Sequence, residues 1–140
     1  MKRNLIGILT TLALSLLISV PSTSAQTTTK ATVPFAITVG RTEMPAGTYT
    51  ISPVSQSAIA IRDGNTAKSV LSLFRSEQAG SSDGTPKLVF HKYGHKYFLA
   101  QVSRGFGGAV MQLPTSKLEK EVRIASTRGV SEQQAVVAAK

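Results

Sequence analysis

The chain of 140 residues contains no cysteine, no tryptophan and only seven acidic residues. Without thiols, neither a disulfide framework nor a zinc–thiolate centre can form. A single long apolar run is present, which excludes a membrane protein with several spans. Hydrophobic residues make up 41% of the chain, so its composition differs from that of disordered proteins. One folded domain is the expectation at this length.

The first 25 residues have the pattern of a secretory signal peptide. Residues 1–4 are basic, residues 5–20 are apolar and uncharged, and residues 22–25 are small. We expect cleavage after Ala25. An uncleaved membrane anchor is the alternative, but the 16-residue run is shorter than the ~20 residues that cross a bilayer comfortably. The sequence thus predicts an exported protein, periplasmic or extracellular, with no transmembrane span in the mature chain.

Removal of this segment leaves 115 residues, with 14 basic and seven acidic side chains and a net charge of +7. Residues 26–32 are rich in threonine and are expected to form a flexible lead-in. Residues 33–140 are expected to form one β-rich domain. A domain of this size buries roughly two thirds of its unfolded surface, which is sufficient for one core without disulfides.

Short apolar stretches with a period of two, separated by turn residues, predict seven or eight strands. Such a series is typical of a small antiparallel β-barrel or β-sandwich, and both remain open here. For residues 134–139 we favour a closing strand over a second helix. The predicted strands cover residues 33–39, 49–51, 59–61, 70–74, 87–91, 96–100, 109–113 and 134–139.

The clearest hairpin joins residues 87–91 to residues 96–100. Lys92, Tyr93 and Gly94 are expected to form its three-residue loop, with Gly94 in the left-handed position next to a bulge. Residues 40–47 are expected to be a connector, and residues 76–86 a surface loop.

One helix is predicted near residues 116–127. Ser116 and Glu119 have the spacing of a capping box. Leu118, Val122 and Ala125 recur on one helical face. The predicted architecture is therefore an all-β domain with one C-terminal α-helix.

A further set of segments occurs in a definite order along the chain: Val33-Pro34-Phe35 with Val39-Gly40, residues 45–49, residues 87–94 with residues 97–99, and Leu113-Pro114 with Ser116 and Glu119. Taken in this order, the segments resemble a group of small exported β-proteins of unknown function found in acidobacterial genomes. The resemblance implies export and a β-rich fold, and it implies no activity. His95 stands where that group usually has an acidic or small polar residue.

Two histidines lie close together in the predicted hairpin. With the three-residue loop, His91 and His95 stand opposite each other on one face. Zinc requires three or four ligands, so this pair is only a weak candidate for a metal site. A polar pair at the hairpin tip is the preferred interpretation, and no cofactor is expected.

Other candidate motifs are incomplete. The sequence from Arg104 begins like an RNA-binding strand, but Gly108 and Met111 replace the aromatic residues on which bases stack. No Gly-x-Ser-x-Gly motif is present, and no acidic pair is placed for glycoside hydrolysis. We therefore expect neither nucleic-acid binding nor enzymatic activity.

Basic residues cluster along the predicted hairpin. Lys87, Lys92, Lys96 and Arg104 are the candidate anion-binding residues. A net charge of +7 attracts polyanions and acidic headgroups, whereas a solvated surface is the simpler explanation. The sequence favours an exported, non-catalytic structural or interaction protein of the cell envelope, with an anionic envelope component or a protein as partner. A domain that binds a small ligand or a polyanion, through the basic hairpin or a barrel mouth, is the alternative.

Overall fold

The computed structural model describes residues 28–78, 84–105, 109–126 and 132–140. Within these ranges the chain forms eleven strands and one helix. The predicted signal peptide lies outside the described residues. The elements are β1 (Thr29–Val33), β2 (Ile37–Val39), β3 (Thr42–Met44), β4 (Gly47–Pro53), β5 (Ala58–Asp63), β6 (Ser69–Leu73), β7 (Arg75–Glu77), β8 (Pro86–Tyr93), β9 (Lys96–Arg104), β10 (Val110–Gln112), α1 (Lys117–Ser126) and β11 (Gln133–Ala138).

The strands form two sheets. The first has the order β1-β4-β5-β6, and the second has the order β11-β8-β9-β10-β7. The β2–β3 hairpin joins the second sheet through a parallel contact between β2 and β9. The all-β sandwich with one helix near the C-terminus is thereby confirmed. The predicted seven or eight strands are too few, because the single strand expected over residues 33–39 is divided between β1 and β2, and because β3 and β7 lie in segments expected to be a connector and a loop.

The two sheets meet at β1 and the end of β11. Ala31 bridges to Ala139, and the backbone N–H groups of Lys30 and Lys140 each donate to the other residue's carbonyl at 2.8 Å. The expectation of a flexible lead-in over residues 26–32 is wrong from Thr29 onward. Thr29, Ala31 and Val33 alternate with exposed residues, so their buried side chains fix this segment as a strand.

The predicted strand over residues 33–39 is divided in two. Pro34 has no N–H to donate, and it follows directly on the end of β1. The expected connector over residues 40–47 contains β3, because Gly40, with φ of 63°, turns the chain back on β2. Likewise, β7 occupies the start of the loop expected over residues 76–86, of which residues 79–83 lie outside the described ranges.

Large side chains fill the space between the sheets. Tyr49, Phe90 and Ile59 are completely buried. The ring of Phe35 stands edge-on to Phe90 at 5.4 Å and stacks on Tyr97 at 3.9 Å between centroids. Residues from both sheets and from the β2–β3 hairpin therefore form one core.

The β8–β9 hairpin has a shorter turn than predicted. Tyr93 pairs with Lys96, so the turn consists of Gly94 and His95 alone. Gly94 has φ of 61° at the first central position, which type II′ turns reserve for glycine. The bulge lies further along, between Val89 and Phe90, instead of beside the turn.

The C-terminal elements follow the sequence pattern. The helix occupies Lys117–Ser126, and Ser116 Oγ accepts the Glu119 N–H at 3.1 Å. The favoured strand over residues 134–139 is confirmed by β11, which pairs with β8. Residue 127, where the predicted helix ends, lies outside the described residues. No helix in the described ranges is both long enough and apolar enough to cross a membrane.

Candidate functional site

The four candidate anion-binding residues lie at two ends of the β8–β9 hairpin. Lys92 and Lys96 are beside the turn, whereas Lys87 pairs with Ser103 and Arg104 lies at the far end of β9. Lys96 and Arg104 are eight positions apart in β9, which corresponds to roughly 26 Å along a strand. The structure therefore does not gather these residues at one point.

The register also divides them between two faces of the sheet. Lys92 and Arg104 are on the face that carries the core: the Lys92 ammonium lies 5.7 Å from the centroid of the Tyr97 ring, and the Arg104 guanidinium contacts Met111 sulfur at 3.7 Å. Lys87 and Lys96 are on the opposite face, since strand side chains alternate. No common basic surface arises from this set.

The two histidines are not cross-strand partners. With the two-residue turn, His91 pairs with Phe98, and His95 is exposed in the turn itself. The arrangement behind the weak metal candidate is therefore wrong. His91 Nδ1 lies 2.7 Å from Glu119 Oε1, and its Nε2 lies 3.9 Å from Glu132 Oε1. In the ranges that the structure describes, no group of three side chains is placed to hold a metal ion.

Glu119 has a role that the sequence pattern did not reveal. Its backbone N–H is capped by Ser116 as predicted, but its carboxylate contacts His91 instead of returning to the helix start. The Tyr93 hydroxyl lies 3.5 Å from the same oxygen. This buried carboxylate thus connects α1 to β8.

The predicted apolar face of the helix is only partly used. Leu118 and Val122 are half-buried, whereas Ala125 is exposed. Glu119 is the buried residue of the helix, and Ile124 is 71% exposed. A polar contact with His91 therefore accompanies a small apolar contact where the helix meets the sheet. Of the residues at this contact, the sequence predicted only that Glu119 lies in the first turn of the helix.

Two tyrosines are held in their neutral form. Burial first, and then the charge of Asp63, raise the pKa of Tyr49 from 10.0 to about 12. Burial, followed by the charges of Glu119 and Glu132, raises the pKa of Tyr93 to about 12. The Tyr49 hydroxyl donates to the carbonyl of Pro45. Both hydroxyl groups are therefore harder to ionise in the folded protein than in the unfolded chain.

These raised values predict alkaline unfolding. A tyrosine that ionises at pH 10.0 when unfolded and near 12 when folded stabilises the fold fully below pH 10.0, and this stabilisation is lost as the pH rises towards 12. We expect an absorbance titration of the folded protein to show two of the three tyrosines ionising near pH 12, together with loss of the circular dichroism of the sheets. Ionisation of all three near pH 10.0 while the protein stays folded would contradict this.

Two clefts formed by described residues open at the surface. The smaller, of about 320 Å³, is lined by Arg41, Lys117, Leu118 and Glu121. The larger, of about 660 Å³, lies where β6, β7 and β10 meet the segment before α1. Its lining residues are Ser57, Leu73, Phe74, Arg75, Glu77, Gln112, Leu113, Pro114, Thr115 and Lys120.

An apolar surface adjoins the larger cleft. Leu71 and Leu73 on β6 are 70% and 65% exposed. Leu73 also lines the cleft beside Phe74 and Leu113, so the strand and the cleft are continuous. Among the described strands, β6 pairs only with β5. We call its other edge, with Leu71, Leu73 and this cleft, the β6 edge surface. The sequence marked residues 70–74 as a strand, but it contained no signal that this strand would lie at the edge of a sheet.

Comparison of the chain with protein-family models, with curated proteins and with solved structures gives no match.

Proposed function

We propose that this chain is an exported, non-catalytic interaction protein of the cell envelope. The observation that carries this proposal is the distribution of apolar side chains. Large residues occupy the interior, and two of the five large apolar side chains that are exposed in the described ranges, Leu71 and Leu73, lie together on one edge strand. Exposed apolar residues grouped together commonly mark a surface that binds a partner. Membership of the acidobacterial group that the chain resembles stays a prediction.

The filled interior favours this function over small-ligand binding. Phe35 packs against the core, and Tyr49 and Phe90 are buried within it, where a barrel-type binder would hold its ligand. Small-molecule sites usually enclose most of the ligand surface. The two clefts described above open at the surface. The alternative of a ligand in a barrel mouth therefore has less support.

The use of His91 favours a non-catalytic role. A histidine that acts as a general base requires a nitrogen within reach of the proton it abstracts. Here Nδ1 contacts the buried carboxylate of Glu119, and Nε2 faces Glu132. This arrangement supports a structural contact between helix and sheet.

Polyanion binding through Lys87, Lys92, Lys96 and Arg104 also has less support. The hairpin register distributes these residues between two faces and two ends. A polyanion could still follow the overall positive field, which weakens as salt screens it.

Fractionation of the native host tests the proposed function. We expect the protein in the envelope or exported fractions, within an assembly larger than the monomer that persists in high salt. Release from the membrane pellet by salt alone would favour the polyanion alternative. A monomer in every fraction at both salt concentrations would contradict the proposal.

A further inference from the structure

We propose that the β6 edge surface binds an extended segment of a partner protein, with apolar side chains at alternate positions and acidic residues at both ends. This inference rests on the proposed function, because it names the surface and the class of partner. Addition of a strand to a sheet edge is an established mode of recognition, in which main-chain hydrogen bonds supply affinity and alternate side chains supply specificity.

The backbone of β6 has hydrogen-bonding groups on its free side. Asp63 N–H donates to the Lys68 carbonyl at 2.8 Å, and Phe74 N–H donates to the Ser57 carbonyl at 2.9 Å. Peptide groups alternate in direction along an antiparallel strand, so the even-numbered residues of β6 face β5. The N–H and C=O groups of Ser69, Leu71 and Leu73 therefore face away from it. Among the described strands, β6 pairs with β5 alone.

Two of the other edge strands, β3 and β7, carry features that discourage pairing. β3 has three residues and includes Glu43, and β7 has three residues and includes Arg75 and Glu77. Short length and charge are common ways in which proteins protect sheet edges. β11 is an edge strand of six residues without charge, but the chain directly after it is bridged to β1 through Ala139 and Ala31. β6 has five residues, without charge and without proline, and it pairs with β5 alone among the described strands, so its edge can accept an added strand.

The side chains of β6 provide apolar contacts along the same edge. Leu71 and Leu73 lie on the outer face of the first sheet, opposite Ala60 and Ala58 of β5. Alanine side chains leave room above this face, so a partner's apolar residues can pack against both leucines. At the end of the strand, the larger cleft adds Phe74 and Leu113.

Charge indicates an acidic partner. Arg62 pairs with Ser69, and Lys68 and Arg75 flank the strand. Lys120 and Glu77 both line the larger cleft, and their opposite charges offset each other. A second copy in antiparallel pairing about Leu71 would bring Lys68 of one chain close to Arg75 of the other, and like charges there are unfavourable. An extended segment with acidic residues at both ends would place a carboxylate near Lys68 at one end of β6 and near Arg75 at the other.

A labelled peptide, acetyl-Glu-Asp-Val-Thr-Val-Thr-Val-Asp-Glu-amide, tests the proposal by fluorescence anisotropy with the full chain. We expect the peptide to bind the unmodified protein. We expect it to bind the Leu71→Glu variant about tenfold more weakly, a ratio that equilibrium titration resolves. Val136→Glu is the matched control, since Val136 is 60% exposed on β11, in the other sheet, and the charge change is the same. A peptide N-methylated on its β6-facing amides should not bind.

Amide hydrogen exchange on the unmodified protein supplies a readout that does not depend on a variant. Bound peptide should slow exchange at Ser69, Leu71 and Leu73, with little change at Val70 and Ser72, which already face β5. Absence of binding, equal weakening by Val136→Glu, or a stable dimer that Leu71→Glu dissociates would each overturn the proposal. An assembly that persists in host fractions despite absent peptide binding would leave the proposed function standing and remove only this inference.

Discussion

The Phe90→Ala variant is expected to be about 3–5 kcal/mol less stable than the unmodified protein, the usual cost of deleting a buried aromatic ring. Phe90 is completely buried between the sheets, and Phe35 stands edge-on to it at 5.4 Å. The deleted ring would leave a cavity that packed neighbours fill only in part. Denaturant unfolding, followed by circular dichroism because the chain has no tryptophan, measures the change in the free energy of unfolding.

Val136→Ala is the control for this comparison. Its side chain is 60% exposed, so we expect a change of no more than about 0.5 kcal/mol. A loss of under ~1 kcal/mol for Phe90→Ala would contradict a close-packed interior. That outcome would also revive the small-ligand alternative, because it would indicate existing space between the sheets.

The Glu119→Ala variant is expected to lose about 1–3 kcal/mol, the range for a hydrogen bond to a charged group whose partner stays behind. The substitution removes the contact between His91 Nδ1 and Glu119 Oε1 at 2.7 Å. It keeps the backbone N–H that Ser116 caps, so the start of the helix is preserved. We expect α1 to separate from β8 while the sheets remain folded.

Glu119→Gln separates the hydrogen bond from the charge. Its amide oxygen can still accept a hydrogen bond from His91, so it should cost less than Glu119→Ala. Amide exchange within α1, measured alongside denaturant unfolding, distinguishes local detachment from global destabilisation. Equal stability of Glu119→Ala and the unmodified protein would show that the contact does not hold the helix.

Much of the fold could be predicted because its longer elements repeat a local pattern. The alternation in residues 59–61 reappears in β5, the apolar run within residues 87–91 reappears in β8, and the capping pair at Ser116 and Glu119 marks the start of α1. These signals depend on neighbours in sequence. The strand at Thr29–Val33 was missed because threonine and alanine give weak apolar contrast, although their side chains are buried there.

The parts that could not be predicted depend on tertiary register. A turn of two residues instead of three at Gly94 moved His91 away from His95. The partner of Glu119 is 28 residues away in sequence, so no local pattern could identify it. The exposure of Leu71 follows from the position of β6 at the end of a sheet, and strand order is a property of the whole fold.

Binding through the β6 edge surface is tested most directly by site-specific photocrosslinking in the native host, with a photoreactive phenylalanine analogue at position 71 and, in a separate strain, at position 136. We expect one discrete crosslinked protein from position 71, of the same size after a high-salt wash, and none from position 136. Equal crosslinking from both positions, or none from position 71, would contradict an interaction protein that acts through the β6 edge surface.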